Sequence, residues 1–348
     1  MAIRKRYAGR IRVSEKPVEA FIEGIKISKF ERTKKNILDL VREIFDSLIS
    51  EIKIKPDDIE AFVVANSMGG LFGIPEYMRY VIPSSFGMHK NFFEVNCEDA
   101  GGLCAVVKTF DLVKSGLFSR VCVISANKIN LKNIDEIADI VFADVVQNIS
   151  EFIKEHSKKN LTEKVMKDIY SSALSRAKNN PFYHVEQKSQ DFSKIPKFLD
   201  GAGVAIISSG DIAKKKELKI NFVGERTLVF DDEKDNINVI RSLMKDAFDT
   251  LKISPEDISV YEVYDFVLPL AEVIAQSIGL SGAYLSDERV NQSGGVFFSC
   301  SPPTSSFARL FEVVRFLKEK KKGSMGCAIS LSTRDFSHSS VVIVEKVK

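Results

Sequence analysis

The sequence contains no tryptophan, only four histidines, and five cysteines in 348 residues. The cysteines are Cys97, Cys104, Cys122, Cys300 and Cys327; none forms a CxxC pair, and an odd number leaves no closed disulfide set. A disulfide framework is therefore excluded, no metal-ligand set is read from the spacing, and reduced thiols in a cytoplasm are expected. Uninterrupted apolar runs of membrane-spanning length are also missing, so no membrane partner is expected. The opening MAIRKRYAGRIRVSEKP is basic but lacks an apolar signal core, which argues against a secretory leader. An excess of either charge is missing as well. Fifty basic residues face 47 acidic ones, a net charge of +3, which gives no case for a nucleic-acid partner. The basic runs Lys214–Lys216 and Lys318–Lys322 read as solvated faces.

What is present is a core and a repeat. Hydrophobic residues make up 45% of the chain, enough to fill a large α/β domain or two medium ones. Residues 36–50 carry apolar side chains at helical spacing, followed by a turn at Lys55-Pro56-Asp57-Asp58 and an apolar strand at Ala61–Ala65. The same order recurs as a helix over 239–252, a turn at Ser254-Pro255-Glu256-Asp257 and a strand over 260–263. The offset between the two prolines is 255 − 56 = 199.

A second pair repeats the pattern. Gly101-Gly102 precedes a helix over 103–114 and a strand over 120–125. Gly294-Gly295 precedes a helix over 305–318 and a strand over 326–331, with Cys327 lying 327 − 122 = 205 residues after Cys122. Two element pairs in one order and at nearly one offset imply duplicated halves. Alternation of strand and helix implies largely parallel sheets covered by helices. The halves are expected over 1–213 and 214–348. Residues 129–190 are polar, helix-prone and lysine-rich, and read as an insertion lying over the first half.

Several segments, in order, resemble a known family. Val95-Asn96 with Gly101-Gly102 and Gly116 resembles the region around the thiolase nucleophile. Asn179-Asn180-Pro181-Phe182, Asp200-Gly201-Ala202, Glu262-Val263-Tyr264-Asp265-Phe266 and Asn291-Gln292-Ser293-Gly294-Gly295 resemble segments of archaeal and sterol-carrier-type thiolases. The resemblance implies an α/β fold of two thiolase-like βαβαβαββ halves in five αβαβα layers, with a helical insertion in the first half. It implies a coenzyme A thioester as possible substrate, with no bound cofactor. It also implies substrate-binding roles for Asn291, Ser293, Gly294 and Gly295.

The catalytic slots are occupied by unexpected residues. A thiolase nucleophile is a cysteine at a helix N-terminus, where the helix dipole favours its thiolate. Counting from Asn96 and from Gly116 puts that slot on Asp99, which cannot carry a stable thioester. Cys97, two residues before it and expected inside the strand, would be a displaced nucleophile or an apolar filler. The family's loop histidine falls on Ser301, beside Cys300. Its other histidine falls on Tyr264, with Asp265 next; a phenol with a pKa of about 10 is a poor base at neutral pH. The glycine-rich C-terminal catalytic turn reads Ser332-Thr333-Arg334-Asp335-Phe336-Ser337-His338, without glycine.

Three readings stay open at this point. The first is a non-catalytic or structural subunit. It would form a homodimer, or a hetero-oligomer with an active thiolase, an HMG-CoA synthase or a zinc-ribbon/OB-fold protein. The second is an acyl-CoA retro-aldolase using Asp99, Tyr264 and Asp265 as acid and base. The third is an acetyl-CoA acetyltransferase with a displaced cysteine.

Overall fold

The computed structural model describes residues 18–66, 90–129, 162–183, 196–227, 237–332 and 338–348, with a few isolated positions between 147 and 185. In chain order the elements are β1 (Ala20–Ile27), α1 (Ile37–Ile52), β2 (Ala61–Asn66), β3 (Asn91–Asn96), α2 (Gly101–Lys114), β4 (Arg120–Asn127), α3 (Glu163–Lys178), β5 (Gly201–Ser209), β6 (Leu218–Thr227), α4 (Ile237–Leu251), β7 (Ile258–Val263), α5 (Leu268–Ser277), α6 (Thr304–Lys318), β8 (Met325–Leu331) and β9 (His338–Lys346).

The internal repeat extends to single residues. Helix α1 buries Ile37, Leu40, Val41, Ile44, Phe45, Leu48, Ile49 and Ile52, the stripe that helical periodicity places on one face. Asn36 starts it by accepting from the Asp39 amide at 2.9 Å. Lys53 stops it in the left-handed region at φ 56°, with its amide bonded back to Ile49 and Ser50. Helix α4 ends the same way, on Lys252 at φ 55°. Each helix then enters a single 3₁₀ turn. In the first, Asp58 accepts from the Lys55 amide at 2.8 Å; in the second, Asp257 accepts from the Ser254 amide at 2.8 Å. Both local circuits close within four residues, so each is encoded without tertiary help.

The strands run in the order β3-β2-β4-β5-β1-β6-β9-β8-β7. Strands β3, β2 and β4 are parallel, and β5 and β1 follow antiparallel. The other half reverses the order: β7 and β8 are parallel, and β9 and β6 follow antiparallel. The halves join where β1 meets β6, through only two residue pairs, Ala20 with Ile220 and Phe21 with Lys219. The counterpart of β3 in the second half is a single parallel bridge from Tyr261 to Val290.

Helices α2 and α6 lie between the two half-sheets. Helix α2 packs on β2 and β4 of its own half and on β6 and β9 of the other; α6 packs on β7 and β8 and reaches β1 and β5. Outside, α1 covers β1, β4 and β5, while α4 covers β6 and β9, giving the five layers expected. The central helices approach closely at their N-termini. A methyl group on Gly102 would lie 2.5 Å from the Pro303 carbonyl oxygen and 2.7 Å from the Phe307 amide. Only glycine fits that contact.

The described helix of the insertion, α3, packs mainly on the second half, whereas the sequence placed the insertion over the first. Ile169, Tyr170, Ala173 and Leu174 of α3 enter the core of the second half, with Tyr264, Tyr284 and Val290. The rings of Tyr170 and Phe298 meet edge-on at 5.3 Å, and Arg176 donates to the Val290 carbonyl at 2.6 Å. The sequence marks this segment as polar and helix-prone; the partner of its apolar face is set by tertiary contacts. Among the described residues, no helix is long and apolar enough to cross a membrane.

Candidate active site

Strand β3 ends at Asn96, where its pairing with β2 ends at Asn66. The chain then turns through Cys97, Glu98 at φ 47°, Asp99 and Ala100 before α2 begins at Gly101. Cys97 therefore lies past the strand, in the turn, and is half-buried. The expectation that it sits inside β3 is corrected: pairing with β2 stops one residue earlier. Asp99 sits immediately before α2 and is 2% exposed. An anion there is favoured by the helix dipole.

Tyr264, just beyond β7, is fully buried, and its hydroxyl lies 4.0 Å from the Cys300 sulfur. Burial, and after it the charge of Asp99, pushes the Tyr264 phenol well above its ordinary pKa. The same two causes, in the same order, push the Cys300 thiol well up. Asp99, Tyr264 and Cys300 thus share one closed environment. Ser301 follows Cys300; its amide donates to Ser305 at 2.7 Å, and its buried hydroxyl has no hydrogen-bond partner among the described residues. The first-turn amides of α2 are already engaged, since Gly102 and Leu103 donate to the Ser306 hydroxyl at 3.0 and 3.3 Å.

Asp265 points to a different set of partners. It accepts from the Val296 amide at 2.6 Å and from the Tyr284 hydroxyl. Burial, opposed by these hydrogen bonds, pushes its carboxyl up to about 7. Asn291, at φ 49°, accepts from the Val263 amide at 2.7 Å and donates to the Tyr284 hydroxyl at 3.2 Å. Ser293 donates to Glu262 at 2.6 Å and accepts from Arg309 at 2.9 Å. Gly294 and Gly295 have positive φ, and side chains there would strike Ala177 and the Tyr284–Asp265 pair. All four expected substrate-binding residues are tied into the protein's own interior.

Sequence reasoning passed over the centre of that interior. Arg309 of α6 is fully buried and pairs with Glu262 at 2.8 Å, while also donating to Ser293, Tyr183 and the Ser305 carbonyl. Burial pushes Glu262 up to about 7 despite the adjacent guanidinium. Asn180 donates to Glu312 at 2.7 Å and anchors the insertion to the same network. The available signal was the pair of charges Arg309 and Glu312 within the otherwise apolar run Phe307 to Val314.

Cys97 and His338 belong to a second cluster, with Cys104 and Glu225. His338 lies 3.2 Å from the Cys104 sulfur. The hydrogen bond with Cys104 lowers the Cys97 thiol below its ordinary value. Residues 333–337 of the C-terminal turn lie outside the described residues. A separate cleft of about 610 Å³ opens between β1 and α1 and shares no lining residue with either cluster. Its Lys26 and Lys35 pair with Glu51 and Glu43 at 2.9 and 2.6 Å, so much of its positive charge is internally compensated.

This doubled arrangement, with two central helices between mirrored half-sheets, is the thiolase fold. Over 95% of this chain and 99% of the other, it superposes on the human mitochondrial 3-ketoacyl-CoA thiolase with a TM-score of 0.74 at 13% identity. The peroxisomal thiolase of Saccharomyces cerevisiae matches with a TM-score of 0.72, also at 13% identity, over 96% of this chain and 99% of that one. Acat5 thiolase from Ascaris suum, solved in complex with coenzyme A, matches with a TM-score of 0.71 at 13% identity over 94% and 100%. No family model and no curated protein matches the sequence. At this identity the likeness is one of fold.

Proposed function

We propose that this chain is a thiolase-like protein without cysteine-based Claisen chemistry, acting as a non-catalytic or structural subunit of an acyl-CoA-processing complex. The observation that carries the reading is buried Asp99 in the nucleophile slot, beside helix amides that Ser306 already occupies. A carboxylate cannot form the stable thioester, and occupied amides are less available to a developing oxyanion. Neither Tyr264 nor Cys300 supplies a base at neutral pH, because both hold their protons more tightly than usual.

Coenzyme A thioesters are the proposed ligand class, supported by the fold shared with proteins solved with coenzyme A. Assembly is supported by β3, which ends the strand order among the described residues and exposes Asn91, Glu94 and Asn96. The partner is a second copy, an active thiolase, an HMG-CoA synthase or a zinc-ribbon/OB-fold protein, in a cytoplasmic setting. Calorimetric titration with coenzyme A and acetyl-CoA, followed by intact-mass measurement, tests the reading. Binding without an acetyl adduct is expected; an adduct on any cysteine would sink it.

A second reading has one observation in its favour. The Asp99 charge acts directly on Tyr264, the pairing that an acyl-CoA retro-aldolase would use, with a carboxylate base and a phenol donor. Cleavage of a β-hydroxyacyl-CoA that is lost in Tyr264→Phe would establish it in place of the first.

A further inference from the structure

We propose that Cys97, Cys104, Glu225 and His338 form a tetrahedral zinc site that ties the start of α2 to strands β6 and β9 of the other half. Their four ligand atoms all lie within 4.8 Å of one another. The His338 Nε2 is 3.2 Å from the Cys104 sulfur and 3.3 Å from a Glu225 carboxylate oxygen. Zinc bonds of about 2.0–2.3 Å at tetrahedral angles require ligand–ligand edges of roughly 3.3–3.8 Å, so small side-chain shifts around a central ion suffice.

Secondary structure places each donor. Cys97 stands in the turn after β3, and Cys104 faces inward from the first turns of α2. Glu225 and Thr227 project from one face of β6, and His338 pairs directly with Thr227 at the start of β9. The Thr227 hydroxyl lies 2.9 Å from His338 Nδ1. With the Nδ1–H donated to that hydroxyl, the Nε2 lone pair is directed at the cluster. This is the outer-shell contact by which metal-bound histidines are oriented.

The donor set selects the ion. Two sulfurs, one imidazole and one carboxylate in a tetrahedron suit zinc, whereas magnesium and calcium prefer oxygen ligands in larger numbers. Binding requires both thiols to lose their protons to solvent, with no change of oxidation state. Two ligands come from each half of the chain, so the ion acts as a cross-link between the halves. The inference is independent of the proposed function, although zinc-bound Cys97 is no longer available as a nucleophile.

The test uses the full chain, reduced and loaded with zinc, then freed of excess by gel filtration. Elemental analysis is expected to find one zinc per chain. Cobalt(II) loading of the unmutated protein is expected to give tetrahedral ligand-field bands and thiolate charge-transfer absorption. Thr227→Val alters only an exposed outer-shell hydroxyl and is expected to weaken zinc binding about 10–100-fold. Three outcomes overturn the proposal: no zinc retained, cobalt bound without thiolate bands, or a Cys97–Cys104 disulfide that persists in reducing buffer and excludes metal.

Discussion

Replacing Arg309 with methionine tests whether the Ser293-Gly294-Gly295 loop is a strut of the core. Methionine keeps most of the side-chain volume and removes the charge. The guanidinium is fully buried, 2.8 Å from Glu262 and 2.9 Å from the Ser293 hydroxyl, and it also serves Tyr183 and the Ser305 carbonyl. Its loss strands a fully buried carboxylate, and breaking a buried pair from one side costs about 3–5 kcal/mol. Unfolding in urea, followed by circular dichroism because the chain has no tryptophan, should register that loss at pH 8. Glu262→Gln in the same background should recover much of it, with a coupling of about 1–3 kcal/mol. The penalty should also shrink as pH falls towards about 7, because the Arg309 charge lowers Glu262 and without it the carboxyl takes up its proton at higher pH. A cost under about 1 kcal/mol for Arg309→Met, or strict additivity in the double variant, would refute the strut.

Gly102→Ala should destabilise by about 1–3 kcal/mol or more in the same assay, since its methyl group meets the backbone of Pro303 and Phe307. Asp265 yields a pH signature. Its folded carboxyl sits at about 7, against about 3.9 when unfolded, so between these values the native state holds a proton that the unfolded state has released. Its contribution is fully present below about pH 4 and lost as pH rises through 7; Asp265→Asn should flatten the fall in stability between pH 5 and 7. Asp99→Cys should remain unacylated by acetyl-CoA in intact-mass spectra, because the first-turn amides that would hold the oxyanion are engaged by Ser306.

The parts of the fold legible in the sequence are those with local causes. Helices α1 and α4 are written in a 3.6-residue apolar period, and their stops and turns are closed by hydrogen bonds within a few residues. Strand β6 was not legible, because its mixture of half-buried and exposed residues carries no clean alternation. The insertion was read as helix-prone, but only packing decides that α3 docks on the second half. At the site, counting from Asn96 and Gly116 found Asp99. It could not find Arg309 with Glu262, 47 residues apart, or Cys104 with His338, 234 residues apart. A charged residue within an apolar helix ordinarily marks its solvent face, and only the structure reverses that reading for Arg309.

The proposed loss of the nucleophile, beside a retained thiolase-like scaffold, would have one physical explanation. The residues that hold the core together, Gly102, Asn291, Ser293, Gly294, Gly295 and Arg309, satisfy backbone geometry and buried charge, and each is destabilising to change whatever the chain binds. The reacting positions carry no such constraint. A thiol at the start of α2 can become Asp99 because the helix dipole stabilises either anion. A histidine can become Ser301 or Tyr264 without removing a core contact that the fold requires. Once these positions are exchanged, restoring cysteine at one of them returns a nucleophile but neither its base nor its free oxyanion donors. The thiolase motifs recognisable in this sequence are therefore those that fold the protein, and their persistence argues for the architecture while leaving the chemistry to be decided at Asp99 and Tyr264.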